Sequence, residues 1–157
     1  MSLLDATDFR ILQMLQADAN ITTKEIAARL HITTTPVFER VKRLEREGYI
    51  ASYVALLDRK KVGLTLVAYT NVSLKEHNSD ILTRFEEAVR SLPEVMECYH
   101  IAGLFDYLLK VVVRDMDDYQ HFVAKKLAAL ENIGKVQSSF VMTEIKHTTS
   151  LHLESGG

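Results

Sequence analysis

The stretch Thr22-Thr23-Lys24-Glu25-Ile26-Ala27-Ala28-Arg29-Leu30-His31-Ile32-Thr33-Thr34-Thr35-Pro36-Val37-Phe38-Glu39-Arg40-Val41-Lys42-Arg43-Leu44-Glu45-Arg46-Glu47-Gly48 carries two helix starts separated by a short break. Thr22 followed by Glu25 makes a capping box, in which each side chain satisfies a backbone N–H of the first turn. Ile26, Ala27 and Leu30 then give the first helix a buried face. His31-Ile32-Thr33 forms the break, and Thr33 caps a second helix whose Pro36 falls in the first turn, where a missing N–H costs nothing. Val37, Val41 and Leu44 recur at spacings of four and three and define one inward stripe. Gly48 supplies the left-handed residue that ends the helix.

At about 100° per residue, the helix after Thr33 directs Thr35, Glu39, Lys42 and Arg46 away from that stripe, with Arg40 and Arg43 on its flanks. Upstream, Asp5 or Thr7 caps another amphipathic helix through Phe9, Ile11, Leu12 and Leu15, which Asp18-Ala19-Asn20 ends. Glu39 with Arg43, and Lys42 with Arg46, also stand at i,i+4 and suit a merely solvated surface. Three helices in this order, with a tight turn before the last, favour a helix-turn-helix that places its final helix in a DNA groove. The candidate DNA-facing residues are Thr33, Thr34, Thr35, Pro36, Glu39, Arg40, Lys42, Arg43 and Arg46, with the hydroxyls near base edges or phosphates and the cations neutralising phosphates.

Beyond Gly48, residues 49–57 read as an extended β-rich stretch and 58–63 as a polar linker. Leu64, Leu66, Ala68, Val72 and Leu74 then alternate with Thr65, Asn71, Ser73 and Lys75, which predicts a strand with one core face. Ile81, Leu82, Phe85, Ala88, Val89 and Leu92 mark a helix ending near Pro93, and a strand follows from Val95 to Ala102. Gly103-Leu104-Phe105 connects to a strand over Asp106–Arg114. Tyr119, Phe122, Val123, Lys126, Leu127 and Leu130 trace a last helix, stopped by Asn132-Ile133-Gly134 before a strand over Lys135–His147. The order β-α-β-β-α-β is that of a ferredoxin-like domain with helices on one sheet face. On the other face, Val67, Tyr69, Lys110 and Val112 predict burial against a second subunit. The fold class is therefore α+β: a winged-helix-like helix-turn-helix domain at 1–50, a β-rich linker at 51–63 and a ferredoxin-like domain at 64–157.

The 157 residues, 47% apolar and 25% charged, suffice for one modest core or two small ones. The net charge is −2, but residues 1–61 carry ten Lys/Arg against eight Asp/Glu and the remainder nine against thirteen. That mild asymmetry permits a nucleic-acid-facing N-terminal part. Cys98 is the only cysteine, which excludes an internal disulfide and a thiolate-rich zinc site. No apolar run approaches a membrane span, and the opening Met1-Ser2-Leu3-Leu4-Asp5 lacks a signal peptide's basic and apolar regions. A cytoplasmic protein with no membrane partner is expected.

Taken together, these segments resemble the Lrp/AsnC, or feast/famine, family of bacterial and archaeal regulators over nearly the whole chain. Thr33 to Ile50 looks like the family's recognition helix, and Glu97 to Lys110 like the segment holding its Gly-x-x-Asp-Tyr loop, here Gly103-Leu104-Phe105-Asp106-Tyr107. Ser138 to Met142 and Lys146 to Leu151 resemble the leucine-responsive and branched-chain-metabolism branches. The resemblance implies a sensor domain that dimerises through its sheet, dimers that assemble into octameric rings or open helices, and an amino-acid effector bound between dimers near that loop. Carried over by position, the effector-binding residues are Gly103, Leu104 and Asp106 in the loop, Tyr99 and His100 before it, and Ser138, Ser139 and Phe140 on the strand expected to face it. Many relatives place Asp or Asn where this chain has Leu104, and with Phe140 and Val141 the apolar substitution favours leucine or methionine. No cofactor other than such an effector, and no metal, is expected.

Two other readings remain open at this level. Sirohaem-type decarboxylases share the two-domain architecture, but His100, His121 and His147 lack partners at acid/base or metal spacing, and His147 with His152 is a weak zinc pair. No phosphate loop or nucleophile motif occurs, so an enzyme is not expected. The other reading is an amino-acid sensor that does not bind DNA, against which the complete third helix argues.

Overall fold

A computed structural model of the chain describes residues 4–153. The termini that the expected domain boundaries include, 1–3 and 154–157, and with them most of the opening segment read for a signal peptide, lie outside the described residues. Two compact units form, one running to Leu56 and taking in the segment from Lys146, the other spanning Leu57–Ile145. The tail thus groups with the helices rather than with the sheet that precedes it. Its backbone finds side-chain partners there: the Gln16 amide accepts from Leu151 N (2.6 Å) and donates to Leu151 O (3.2 Å), and Gln13 donates to Leu153 O (3.0 Å).

The helical unit contains α1 (Ala6–Ala17), α2 (Thr23–Leu30) and α3 (Thr34–Arg46). Ile11, Ile26, Val37 and Leu44 are almost completely buried at their junction, each burial contributing on the order of 1.5–3 kcal/mol. The expected capping box of Thr22 with Glu25 forms on α2, and a second, of Asp5 with Asp8, on α1. Thr33 occupies the cap position of α3 without a side-chain bond to the helix, and Gly48 takes the left-handed φ of 78° that ends it. A β-carbon there would crowd its own carbonyl, which glycine avoids. Residues 51–57 pair with no strand among the described residues, so the β-rich linker is corrected to an unpaired segment.

Asp8 is the unexpected member of this core. Its side chain is 1% exposed, and its carboxylate accepts from Asp5 N at 3.0 Å and from Arg40 at 2.8 Å and lies 2.6 Å from Arg43. Arg40 also pairs with Asp5 at 2.6 Å. Two carboxylates on the first turn of α1 therefore face two guanidiniums on α3, and the buried charge is compensated.

In the other unit, β1 (Leu66–Leu74), β2 (Val95–His100), β3 (Tyr107–Val113) and β4 (Ile133–Phe140) form an antiparallel sheet in the order β2-β3-β1-β4. Helix α4 (Ser79–Arg90), and α5 (Met116–His121) with a π-helical continuation over Phe122–Leu127, pack on one face. Ala68, Val72, Leu109 and Val111 point into that core with Phe85, Val89, Phe122 and Leu127. This is the expected β-α-β-β-α-β sandwich.

Three details differ from expectation. β4 begins at Ile133 and ends at Phe140, because the polar run after Val141 has no neighbouring strand to pair with. Gly134 is not a helix stop: it lies in β4 where a β-carbon would meet Ser73 O at 3.0 Å, and Asn132, at φ 66°, makes the turn. Val67 lies on the open face, as alternation with core-facing Ala68 requires, but the chain itself already buries it, and its carbonyl accepts from Val141 N at 2.9 Å.

Burial alone would raise the Asp8 carboxyl, but the Asp5 N–H and the Arg40 and Arg43 guanidiniums hold it below the ordinary carboxylate value. Asp5 is likewise lowered, first by the Asp8 N–H. Groups so depressed stabilise the fold fully above the unfolded carboxylate pKa of about 3.9, and that contribution is lost as pH falls through the lower folded value. Thermal melts should show that Asp8→Asn removes about 2–4 kcal/mol at neutral pH, somewhat less than the ~3–5 kcal/mol for breaking a fully buried pair because both arginines reach water. The variant should also lose part of the acid sensitivity expected of the wild type below pH ~4. Unchanged melting at both pH values would show that the brace contributes nothing.

Candidate functional site

Helix α3 presents Thr34, Thr35, Pro36, Glu39, Lys42 and Arg46 to solvent, as its inward stripe of Val37, Val41 and Leu44 requires, and Thr33 before it is exposed too. Arg40 and Arg43 sit on the flanks, as expected, but on the side of α1, only 30% and 25% exposed, and the carboxylates of Asp5 and Asp8 take up their charge. Within the chain both arginines brace α3 against α1. The sequence held the signal for this in Asp5, which capping alone already explained, and in Asp8 on the first turn of α1. Lys42 and Arg46 remain as cations of the outer face, although Lys42 also lies 2.7 Å from Glu45. Phe38, absent from the expected set, is 48% exposed on this helix.

The second candidate site is the loop between β2 and β3. Gly103 adopts φ 152°, a conformation that side chains disfavour, and Leu104 beyond it is 85% exposed. The loop closes through Ile101 N to Asp106 O at 2.8 Å and Asp106 N to Val72 O at 3.0 Å. The Asp106 carboxylate accepts from Leu74 N at 2.7 Å and lies 3.0 Å from His77 Nε2 through both oxygens. The Leu74 N–H, then His77, keep this carboxyl below its ordinary value. Asp106, expected among the effector-binding residues, fastens the loop to the end of β1 within the chain. His77 escaped the sequence reading because it lies almost thirty positions away in a segment without periodicity.

The remaining effector-binding candidates do not converge within one chain. Tyr99 and His100 are neighbours on β2 and so point to opposite faces. Tyr99 donates to Glu97 at 3.1 Å, and Glu97 pairs with Lys110 at 2.8 Å, on the open face. His100 stacks on Tyr107 at 4.8 Å on the helical face, where Tyr107 donates to Glu86 at 2.9 Å. That side of β2 forms, with α4, an open cleft of about 440 Å³ lined by Glu86, Arg90, Cys98 and His100 among others. Ser138 and Phe140 pair in register with Thr70 and Ala68, away from the loop, whose neighbour on β4 is the stretch around Val136. Ser138 accepts from Tyr119, which also shares a 2.7 Å bond with the buried Thr70 hydroxyl, and Phe140 meets the Tyr119 ring edge-on at 4.9 Å. Ser139, one residue between them, turns to the open face. The expectation that Ser138, Ser139 and Phe140 face the loop is not met inside a single chain.

Among the described residues no group of three or more His, Cys, Asp or Glu is arranged to hold a metal ion, and no helix is long and apolar enough to cross a membrane.

Comparison with known proteins matches both regions. Residues 4–51 match a family model described as winged helix-turn-helix DNA-binding, and residues 67–151 one described as the Lrp/AsnC ligand binding domain. The DNA-binding transcriptional activator DecR of Escherichia coli is 39% identical over 97% of this chain and 100% of its own length. The leucine-responsive regulatory protein of Escherichia coli is 36% identical over 97% of this chain and 93% of its own. A crystal structure of a transcriptional regulator from Neisseria meningitidis in complex with L-Met superposes with a TM-score of 0.91 at 40% identity, covering 96% of this chain and 97% of that one.

The loop geometry makes a local prediction. Asp106→Ala should speed amide hydrogen exchange at Leu74 about tenfold, the value of one hydrogen bond to a charged acceptor. His77→Ala, which removes an exposed partner and leaves the Leu74 bond, should cost only ~0.2–1 kcal/mol. Equal exchange in the wild type and Asp106→Ala would show that the carboxylate does not fasten the loop.

Proposed function

The chain belongs to the Lrp/AsnC family and is a DNA-binding transcriptional regulator, and from this premise we propose that its DNA binding or assembly responds to leucine or methionine. The observation that carries the DNA-binding reading is the exposed face of α3, whose hydroxyls stand at the helix start and whose Lys42 and Arg46 follow. A helix N-terminus with small polar side chains suits base edges and phosphates, while cations further along suit the backbone. In a dimer, two such helices would engage half-sites roughly 34–36 Å apart, or a multiple of it, on one face of the duplex.

For the effector, the Gly103–Asp106 loop is the proposed site, completed by a second dimer. An α-amino acid carries a carboxylate and an ammonium on one carbon, so its site needs N–H donors, acceptors and an apolar wall. Exposed Leu104 supports an apolar side chain, and the L-Met complex of the Neisseria meningitidis protein supports the same class. With Ser138, Ser139 and Phe140 distant from their own loop, they contribute only if a neighbouring chain brings them. Dimerisation through the open sheet face, and octamers of such dimers, complete the proposal, as do a cytoplasmic location and the absence of catalysis. The effector acts by binding one assembly state more tightly than another.

Gel shifts at two salt concentrations should show retardation that weakens steeply with salt. Lys42→Ala and Arg46→Ala should each reduce the log–log salt slope by about 1 if they contact phosphate, whereas Arg40→Ala should lower thermal stability first. A protein that ignores DNA and binds a tetrapyrrole would overturn the regulator reading. Calorimetric titration with each of the twenty amino acids should find binding by leucine or methionine, and light scattering a change of assembly size. No heat and no size change with any amino acid would remove the effector from the proposal.

A further inference from the structure

A large apolar ring on the solvent side of an otherwise polar helix needs a reason. Phe38 is 48% exposed, while Val37 beside it is fully buried and supplies the core contact at this level of α3. Thr34, Phe38 and Lys42 succeed one another at intervals of four, so they form one row along the helix, next to the outermost line of Thr35, Glu39 and Arg46. The ring lies in the first half of the helix, the part that a helix-turn-helix inserts most deeply into the major groove. The Lys42 ammonium stands 5.9 Å from the ring centroid, a cation–π arrangement that limits the ring's motion and adds positive charge beside it.

The groove offers one apolar feature that distinguishes bases, the C5-methyl group of thymine, which apolar side chains contact. The neighbours of Phe38 are a hydroxyl on one side and a cation on the other, a pairing suited to a phosphate-lined groove and poorly suited to an apolar protein surface. We propose that Phe38 reads the methyl group of a thymine and so helps set the sequence preference, an assignment that rests on the DNA-binding reading above. The contact differs in kind from those of Lys42 and Arg46: it depends on the base, and salt leaves it unchanged.

Deoxyuracil pairs like thymine and lacks only the methyl, so it isolates the contact. Duplexes enriched by the full-length protein from a randomised pool should be resynthesised with each thymine replaced by deoxyuracil in turn. The wild type should lose about fourfold in affinity at one thymine of each half-site, the worth of burying one methyl group. Phe38→Ala should bind the thymine duplex less tightly and be indifferent to that replacement, and Phe38→Leu should retain part of the dependence. If Phe38→Ala keeps the full methyl dependence, or the wild type binds an enriched duplex with none, the assignment is overturned while DNA binding stands. A change in assembly size on Phe38→Ala, with methyl dependence intact, would place the ring against another protein chain instead. Failure to enrich any duplex would remove the regulator reading, and the Phe38 assignment with it.

Discussion

The angle of the recognition helix depends on a charge that is almost fully withdrawn from water. Asp8 sits 1% exposed between α1 and α3, and without Arg40 and Arg43 its burial would cost several kcal/mol. Because a carboxylate accepts hydrogen bonds along definite directions, the two guanidiniums fix the rotation of α3 as well as its distance from α1. An apolar contact of equal area would hold the helices together while letting α3 slide or turn. The same first-turn carboxylates close the capping box of α1, so one pair of residues starts one helix and aims another. The outer face is left with a mixed set of charges, Glu39 among Lys42 and Arg46. Affinity for DNA then draws on few phosphate contacts per helix, consistent with a chain whose net charge is only −2.

In the sheet unit the governing rule is alternation. Consecutive residues on a strand face opposite ways, which assigns Tyr99 to the open face with Glu97's partner Lys110 and His100 to the helical face with Tyr107. It likewise separates Ser139 from Ser138 and Phe140, which join Tyr119 and Thr70 in a hydrogen-bonded and aromatic cluster. Thr70 is fully buried, and its hydroxyl partner in Tyr119 satisfies it. A substitution chosen there to probe effector binding would therefore disturb the packing of α5 on the sheet as well.

The periodic parts of both units were legible because periodicity is a direct image of burial. The Val37-Val41-Leu44 stripe, the Thr22–Glu25 capping box and the alternation from Leu66 to Leu74 each required only the geometry of one element. What escaped was whatever depends on two elements meeting. Arg40 and Arg43 read only as phosphate-neutralising cations until Asp5 and Asp8 are brought opposite them, and Asp106 only as an effector-binding loop residue until Leu74 and His77 arrive. Gly134 looked like a helix stop because glycine usually is one there, whereas its role is to let β4 approach Ser73. The end of β4 escaped for a related reason: the residues after Val141 have ordinary strand chemistry but no neighbouring strand.

The open sheet face bears on how a second copy could cover it. Lys110 is only 19% exposed and already paired with Glu97 at 2.8 Å inside the chain. A two-fold axis brings each surface patch against itself, so an unpaired charge near the axis would meet its own image and repel it. Here the cation and anion arrive as a neutral pair flanked by Tyr69 and Tyr99, 38% and 53% exposed, whose rings supply apolar area and whose hydroxyls retain hydrogen-bonding capacity. Such a face tolerates its own copy without a complementary partner of opposite charge. That property follows from the register that sets Glu97 opposite Lys110 on β3, and a shift of one residue at the bulge near Met96 would turn Glu97 into the core and leave Lys110 alone.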